Sequence, residues 1–131
     1  MTLNRHSAVQ YLHDRHARVI DAPSEEVDLE ALNLEFFCFQ AHVCELMDSR
    51  ADRGVRRCFE TMHHLLVHGD MDVRGAVWND FLIPHLVFHA DLAWGQERMP
   101  QLLAEVCDKV REVIAEVAAP EGPAAGGQVA P

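Results

Sequence analysis

The sequence predicts an all-α fold, in the form of a single-domain bundle of about five helices or an irregular stack of antiparallel helix hairpins. In several long segments the apolar residues recur at i, i+3, i+4 and i+7, which places them on one face of a helix. Residues that begin or end helices stand between these segments. No run of alternating apolar and polar residues, bounded by turn residues, indicates a strand.

The chain is long enough to bury a core of its own without disulfides or metals. It has 131 residues, of which 49% are hydrophobic and 24% charged, and this is a globular composition. We expect one α-helical domain over residues 1–119. The remaining stretch, residues 120–131, is rich in Pro, Gly and Ala and is predicted to be a disordered tail.

The first third of the chain contains two predicted helices. One runs from Leu3 to Ile20, although histidines interrupt its polar and apolar faces. Residues 21–30, DAPSEEVDLE, then form a loop that leads into an acidic helix start, where carboxylates complement the helix dipole. The second helix, from Leu29 to Met47, is apolar almost all round, which predicts a central and heavily buried element.

The clearest helix lies between Ser49 and Gly69. Ser49 with Asp52 resembles a capping box, and Gly69 suits the left-handed residue that follows many helices. The apolar residues of its buried face are Val55, Cys58, Phe59, Met62, Leu65 and Leu66.

Asp70 is predicted to cap the next helix, which packs against the preceding one as an antiparallel hairpin because the turn between them is short. Pro84 either kinks this helix or starts a new one. Asp80 projects into the inward face, so it forms an ion pair within the bundle or is turned to solvent by a kink near Pro84. The inward face begins with Val73, Ala76, Val77 and Phe81. A last amphipathic helix is predicted from Met99 to Val117.

Charge and hydropathy predict a cytoplasmic protein that binds neither membranes nor nucleic acid. No apolar run approaches the ~20 residues of a membrane helix, and the N-terminal residues show no export signal. Asp and Glu number 21 against 11 Lys and Arg, for a net charge of -10, which disfavours binding to anionic surfaces. This acidity either serves solubility or attracts a basic partner.

The cysteines and the enzyme motifs give little indication of catalysis. Cys38, Cys44, Cys58 and Cys107 lie singly within predicted helices, so we expect buried and reduced thiols. The sequence contains no Gly-rich phosphate loop, no G-x-S-x-G turn and no Cys-His motif with recognisable surroundings. We therefore expect a protein that is not an enzyme.

Two H-x-x-x-H pairs raise the question of metal binding: His64 with His68, and His85 with His89. This spacing places two imidazoles on one helix face. His64 and His68 are predicted to point into water, on a side that also carries arginines, whose charge opposes a cation. His85 and His89 lie to one side of the core face, and no H-E-x-x-H base accompanies them. We expect no metal or other cofactor, with His85 and His89 as the alternative metal site.

Residues 59–86, FETMHHLLVHGDMDVRGAVWNDFLIPHL, resemble a pattern found in small α-helical bacterial proteins of uncharacterised type, which include immunity proteins of polymorphic toxins. In that pattern an amphipathic helix ends in Gly-Asp, and the next helix begins Val-x-x-Ala-Val and continues into Phe-Leu. The matching residues are Phe59, Leu65, Leu66, Gly69, Asp70, Val73, Ala76, Val77, Phe81 and Leu82. The resemblance implies a non-enzymatic protein that binds and blocks a toxin.

Our leading hypothesis is therefore an immunity-type inhibitor whose partner is a basic toxin domain, attracted by acidic patches. The alternatives are a metal-binding enzyme or sensor that uses His85 and His89, and a structural protein that self-associates through residues 29–47. The sequence does not determine the oligomeric state. The residues predicted to bind the partner are Glu25, Glu26, Asp28, Glu30, Glu35, Asp70 and Asp72.

Overall fold

The protein is a bundle of six helices in the computed structural model, which describes residues 2–89 and 91–118. The predicted all-α class is confirmed, and these residues contain no strand, although an isolated parallel bridge joins Leu3 to Gly69. The predicted tail, residues 120–131, lies outside the described residues. The helices are α1 (Arg5–Arg15), α2 (Leu29–Asp48), α3 (Asp52–His68), α4 (defined below), α5 (Leu92–Gln96) and α6 (Gln101–Ala118).

Helix α4 is continuous but changes its winding. It consists of an α-helical segment Met71–Ala76, a π-helical segment Val77–Leu82 and a second α-helical segment Ile83–Phe88. Pro84 supplies no backbone N–H, and its ring would crowd the carbonyl four residues earlier in a regular α-helix. The wider π turn lies just before Pro84 and accommodates it without ending the helix.

The core is centred on α2, which packs against α1, α3 and α4. Four phenylalanines, Phe36, Phe39, Phe59 and Phe81, are fully buried there, and each contributes about 1.5–3 kcal/mol of transfer free energy. Helix α2 is central as predicted, but only one of its faces is heavily buried. Its outer face is exposed, with Leu34 at 61% and Phe37 at 46% of their accessible surface.

The connection between α2 and α3 differs from the predicted cap. Ser49 ends α2 instead of starting α3, and its hydroxyl donates to the carbonyl of Glu45 at 3.2 Å. The chain then turns through Arg50, whose φ of 56° is left-handed. The N-cap of α3 is Ala51, which makes no side-chain capping bond. The capping-box prediction is therefore wrong, because the preceding helix uses the serine.

Asp70 caps α4 as predicted, with its carboxylate accepting the backbone N–H of Val73 at 3.0 Å. Gly69 is extended, with φ −78° and ψ 155°, so the left-handed assignment is wrong. A side chain is excluded there for a different reason. A Cβ atom on Gly69 would lie 2.4 Å from the carbonyl oxygen of Leu65 and 2.4 Å from Cγ1 of Val73.

The structure differs from the sequence-based prediction at two helices. Helix α1 ends at Arg15, five residues early, because the chain folds back through a turn that buries Ile20. The carbonyl of Ile20 is held by Nδ1 of His13 at 2.7 Å. Helix α5, Leu92–Gln96, was not predicted. None of the described helices has the length and apolar character needed to cross a membrane.

Candidate functional site

The N-terminal ends of α2 and α4 lie side by side, and with the loop residues Glu25 and Glu26 they form a surface that we call the acidic end. Arg5 of α1 connects its two halves. The Arg5 guanidinium lies 3.9 Å from the carboxylate of Asp72, and the same arginine lines a shallow cleft with Glu25 and Glu26. The structure thus brings together acidic residues that are more than 40 positions apart in the sequence.

The two helices begin in the same way, with an aspartate cap, an apolar residue and a second acidic residue. Helix α2 begins Asp28-Leu29-Glu30, and its cap carboxylate accepts the N–H of Ala31 at 2.8 Å. Helix α4 begins Asp70-Met71-Asp72. In both helices the apolar residue after the cap is exposed, Leu29 at 45% and Met71 at 82%.

A cleft of about 230 Å³ separates these two helix starts. Leu29 and Met71 lie on its rims, and Asp72 and Asp80 supply its charge. Methionine is an adaptable side chain that is enriched at protein interfaces. A cleft with exposed apolar rims and carboxylates around them can bind a basic, partly apolar protein surface. Its chemistry offers no nucleophile or base with an activating partner.

Asp80 reaches this cleft because of the π segment. A regular α-helix would direct Asp80 into the core face, whereas the extra residue in the π turn rotates it to the side. No cation lies within salt-bridge distance of it among the described residues, so the alternative of an ion pair inside the bundle is wrong. Partial burial raises the pKa of the Asp80 carboxyl.

The predicted partner-binding residues are mostly, but not all, at the acidic end. Glu25, Glu26, Asp28 and Glu30 are exposed there, as is Asp72, and Asp70 lies beside them in its capping role. Glu35 lies further along α2 and is only half-exposed. Burial raises the pKa of Glu35, and the nearby charge of Asp21 raises it further.

Our sequence-based prediction omitted Leu29, Met71 and Asp80 from this surface. The repeated order of Asp, apolar residue and acid was visible at both helix starts, and it could have identified the first two. Asp80 depends on the π turn, which no local pattern indicated.

His85 is buried in the core, and His89 lies partly buried at its margin. The rings of Phe81, His85 and His89 stack in a row, with centroids 6.2 and 5.8 Å apart. Burial lowers the pKa of His85 to about 4, assisted by the charges of His89 and Arg111. The prediction that His85 lies to one side of the core is wrong. The π turn that precedes His85 rotates its side chain away from the position expected for a regular α-helix.

His89 is oriented by its neighbours. Its Nδ1 accepts the backbone N–H of Asp91 at 3.1 Å, and its Nε2 faces the carboxylate of Asp48 at 3.5 Å. Across residues 2–89 and 91–118 no three His, Cys, Asp or Glu side chains are grouped so that they could hold a metal ion. The His85 and His89 pair thus lacks a third ligand within the described part of the chain.

The other histidine pair is divided between two environments. His68 is exposed, in agreement with the prediction. His64 is not simply in water, because it stacks on Tyr11 with ring centroids 4.3 Å apart. Burial lowers the pKa of His64, and His68 lowers it further.

The four cysteines are also divided. Cys58 and Cys107 are buried thiols as expected, and burial raises their pKa to about 12 and about 11 respectively. Cys44 is half-buried. The expectation of burial is wrong for Cys38, which lies on the exposed outer face of α2.

Comparison with protein families gives a match over most of the chain. The model of a family described as "Domain of unknown function (DUF7674)" matches residues 11–115, a range that contains the whole acidic end except Arg5. No curated protein and no solved structure matches the chain. Nothing in these comparisons links it to immunity proteins of polymorphic toxins, so that resemblance stays a prediction.

Proposed function

We propose that this member of the DUF7674 family, described as a domain of unknown function, is a non-enzymatic binding protein. Its surface indicates that the acidic end docks on a basic protein partner. The observation that carries this proposal is the paired helix start. Two exposed apolar side chains, Leu29 and Met71, stand on the rims of one cleft among carboxylates. Burial of these side chains would supply affinity, and the carboxylates would supply attraction and orientation.

In its most concrete form, the proposal is an immunity-type inhibitor that neutralises a cognate bacterial toxin in the cytoplasm. Toxin domains that act on nucleic acids need a basic groove for phosphates, and an acidic end can occupy such a groove. The net charge of -10 favours fast association with a basic protein at low ionic strength. The resemblance in residues 59–86 covers the cap and the N-terminal end of α4, which form half of the acidic end.

The direct test measures the affinity of the chain for the protein encoded by the neighbouring gene. We expect Met71→Ala to weaken binding about ten-fold, since loss of a largely buried apolar side chain costs about 1–2 kcal/mol. The matched control is Val117→Ala, because Val117 on α6 is also 82% exposed. The control should change the affinity less than two-fold.

The contribution of the carboxylates is tested with a second pair of variants. Asp72→Asn should slow association and weaken its salt dependence, whereas Glu116→Gln on α6 should change neither. Equal effects of the test and control variants would contradict the acidic end as the docking surface. Absence of binding at micromolar concentrations would contradict the immunity-type assignment.

One observation favours a second candidate, self-association through α2. Its outer face exposes Leu34, Phe37 and Cys38 along successive turns, and such an apolar stripe is typical of helix pairing. Light scattering distinguishes the candidates. A dimer that Phe37→Glu converts to a monomer would support self-association, and a monomer at millimolar concentration would exclude it.

A further inference from the structure

A cleft of about 410 Å³ lies between the end of α1 and the first half of α3, away from the acidic end. Gly54 and a single acidic residue, Glu60, line the cleft together with four arginines. The arginines are Arg15, Arg53, Arg56 and Arg57. This concentration of positive charge is unexpected in a chain with 11 basic and 21 acidic residues. The overall composition of the chain does not account for this cluster of arginines.

Most basic side chains in the described chain lie against a carboxylate. Arg5, Arg50, Arg56, Arg98, Lys109 and Arg111 do so. Within residues 2–89 and 91–118, five basic residues have no carboxylate within salt-bridge distance, and three of these line the cleft. The five are Arg15, Arg18, Arg53, Arg57 and Arg74. The residues that lack an acidic partner are thus concentrated at one site.

Two of these arginines are held in place by contacts that leave most of their donors free. Nε of Arg15 donates to the hydroxyl of Thr61 at 3.2 Å, and its guanidinium lies over the ring of Tyr11 at 5.4 Å. Nη2 of Arg57 donates to the backbone carbonyl of Arg15 at 3.1 Å. A guanidinium has five N–H donors, so these bonds orient the groups and leave donors for a ligand.

The charge of the cleft acts on its neighbour His16. Burial, together with the charges of Arg57 and Arg15, lowers the pKa of His16 to about 4. Its Nε2 lies 2.9 Å from the Thr61 hydroxyl, the group that also accepts from Arg15. His16 is therefore neutral near pH 7 and adds no charge to the cleft.

We propose that this cleft binds the phosphate group of a small molecule that carries a phosphate monoester dianion. Guanidinium groups match phosphate oxygens in pairs of parallel hydrogen bonds. A cleft of about 410 Å³ has the size of a small-molecule site. The overall charge of -10 opposes an extended polyanion such as nucleic acid, because the rest of the surface repels it. The site is independent of the acidic end and of its protein partner.

Calorimetric titration of the full chain with inorganic phosphate tests the proposal, at pH 7.5 and constant ionic strength. Arg53→Gln is the main variant, because Arg53 makes no hydrogen bond or ion pair to the described residues and its loss should not affect folding. Its matched control is Arg74→Gln, which removes another unpaired arginine beyond the opposite end of α3. Malonate serves as a dianion without the phosphate geometry.

We expect one saturable site that binds phosphate at least five-fold more tightly than malonate. Arg53→Gln should weaken binding at least five-fold, and Arg74→Gln less than two-fold. Glu60→Gln should tighten it, because Glu60 is the acidic residue in the cleft. Equal losses in the two arginine variants, equal binding of malonate, or the absence of saturation would each overturn the proposal. So would tighter binding of a single-stranded oligonucleotide with a steep salt dependence.

Discussion

Substitution of Gly69 by alanine is expected to destabilise the protein strongly, because two packed helices meet at that residue. The added methyl carbon would lie 2.4 Å from the Leu65 carbonyl oxygen of α3 and 2.4 Å from Cγ1 of Val73 in the first turn of α4. The first of these is backbone and the second is fully buried. Neither can withdraw, so α3 and α4 must move apart.

The magnitude follows from two contributions. Overpacking of a buried contact costs about 1–3 kcal/mol. The separation also stretches the bridge beside Gly69, where the N–H of Leu3 donates to His68 at 2.7 Å and the N–H of Asp70 donates to Leu3 at 2.8 Å. Weakening of these bonds adds about 1 kcal/mol. We expect a total loss of about 2–4 kcal/mol in the free energy of unfolding.

Urea denaturation followed by circular dichroism measures this loss. The matched control is Gly75→Ala in the first α-helical segment of α4, where an added Cβ meets no atom within 4 Å. Because alanine favours the helix over glycine, the control should stabilise the protein by about 0.5–1 kcal/mol. A Gly69→Ala protein within 0.5 kcal/mol of the wild type would refute the reasoning, since about 2 kcal/mol is the smallest loss expected.

Three further predictions concern single groups. The pKa of His85 is about 4 in the folded protein, against 6.5 for an ordinary histidine. The unfolded chain thus binds the proton first, and stability should fall by about 2–3 kcal/mol as the pH drops from 6.5 to 4. His85→Leu should flatten urea midpoints over this range, and an unchanged pH dependence would contradict the assignment. Asp70→Ala should cost about 1 kcal/mol through the lost cap; a loss below 0.3 kcal/mol, measured by urea, would argue against a working cap. Iodoacetamide should modify Cys38 in the native protein long before Cys58 and Cys107, and mass spectrometry showing equal rates would contradict their burial.

The features that were predicted correctly are those that depend only on residues close together in the sequence. The inward face of α3 and the Asp70 cap are local features, fixed by helical periodicity and by one side-chain hydrogen bond. The excluded side chain at Gly69 depends on the approach of two helices, which no local pattern reports. Ser49 could cap one helix or end the other, and only the position of Arg50 in a left-handed turn decides between them.

The π turn in α4 explains the errors at the candidate site. Projection at a constant angle per residue correctly places Val73, Ala76, Val77 and Phe81 inward. It fails for Asp80 and His85, because the π segment changes the angle between successive residues. His85 therefore lies in the core, and Asp80 lies in the cleft. The acidic residues of α2 and α4 were identified from composition, but their proximity across the bundle depends on tertiary packing.

The central claim is that the acidic end is the surface that binds a basic protein. Hydrogen exchange of the chain alone and in complex with the protein encoded by the neighbouring gene tests it most directly. We expect exchange to slow on binding in residues 25–33 and 70–80, which frame the cleft, and to be unchanged in residues 102–117 of α6. Slowing confined to α6 or to the outer face of α2, with the cleft unaffected, would contradict the account.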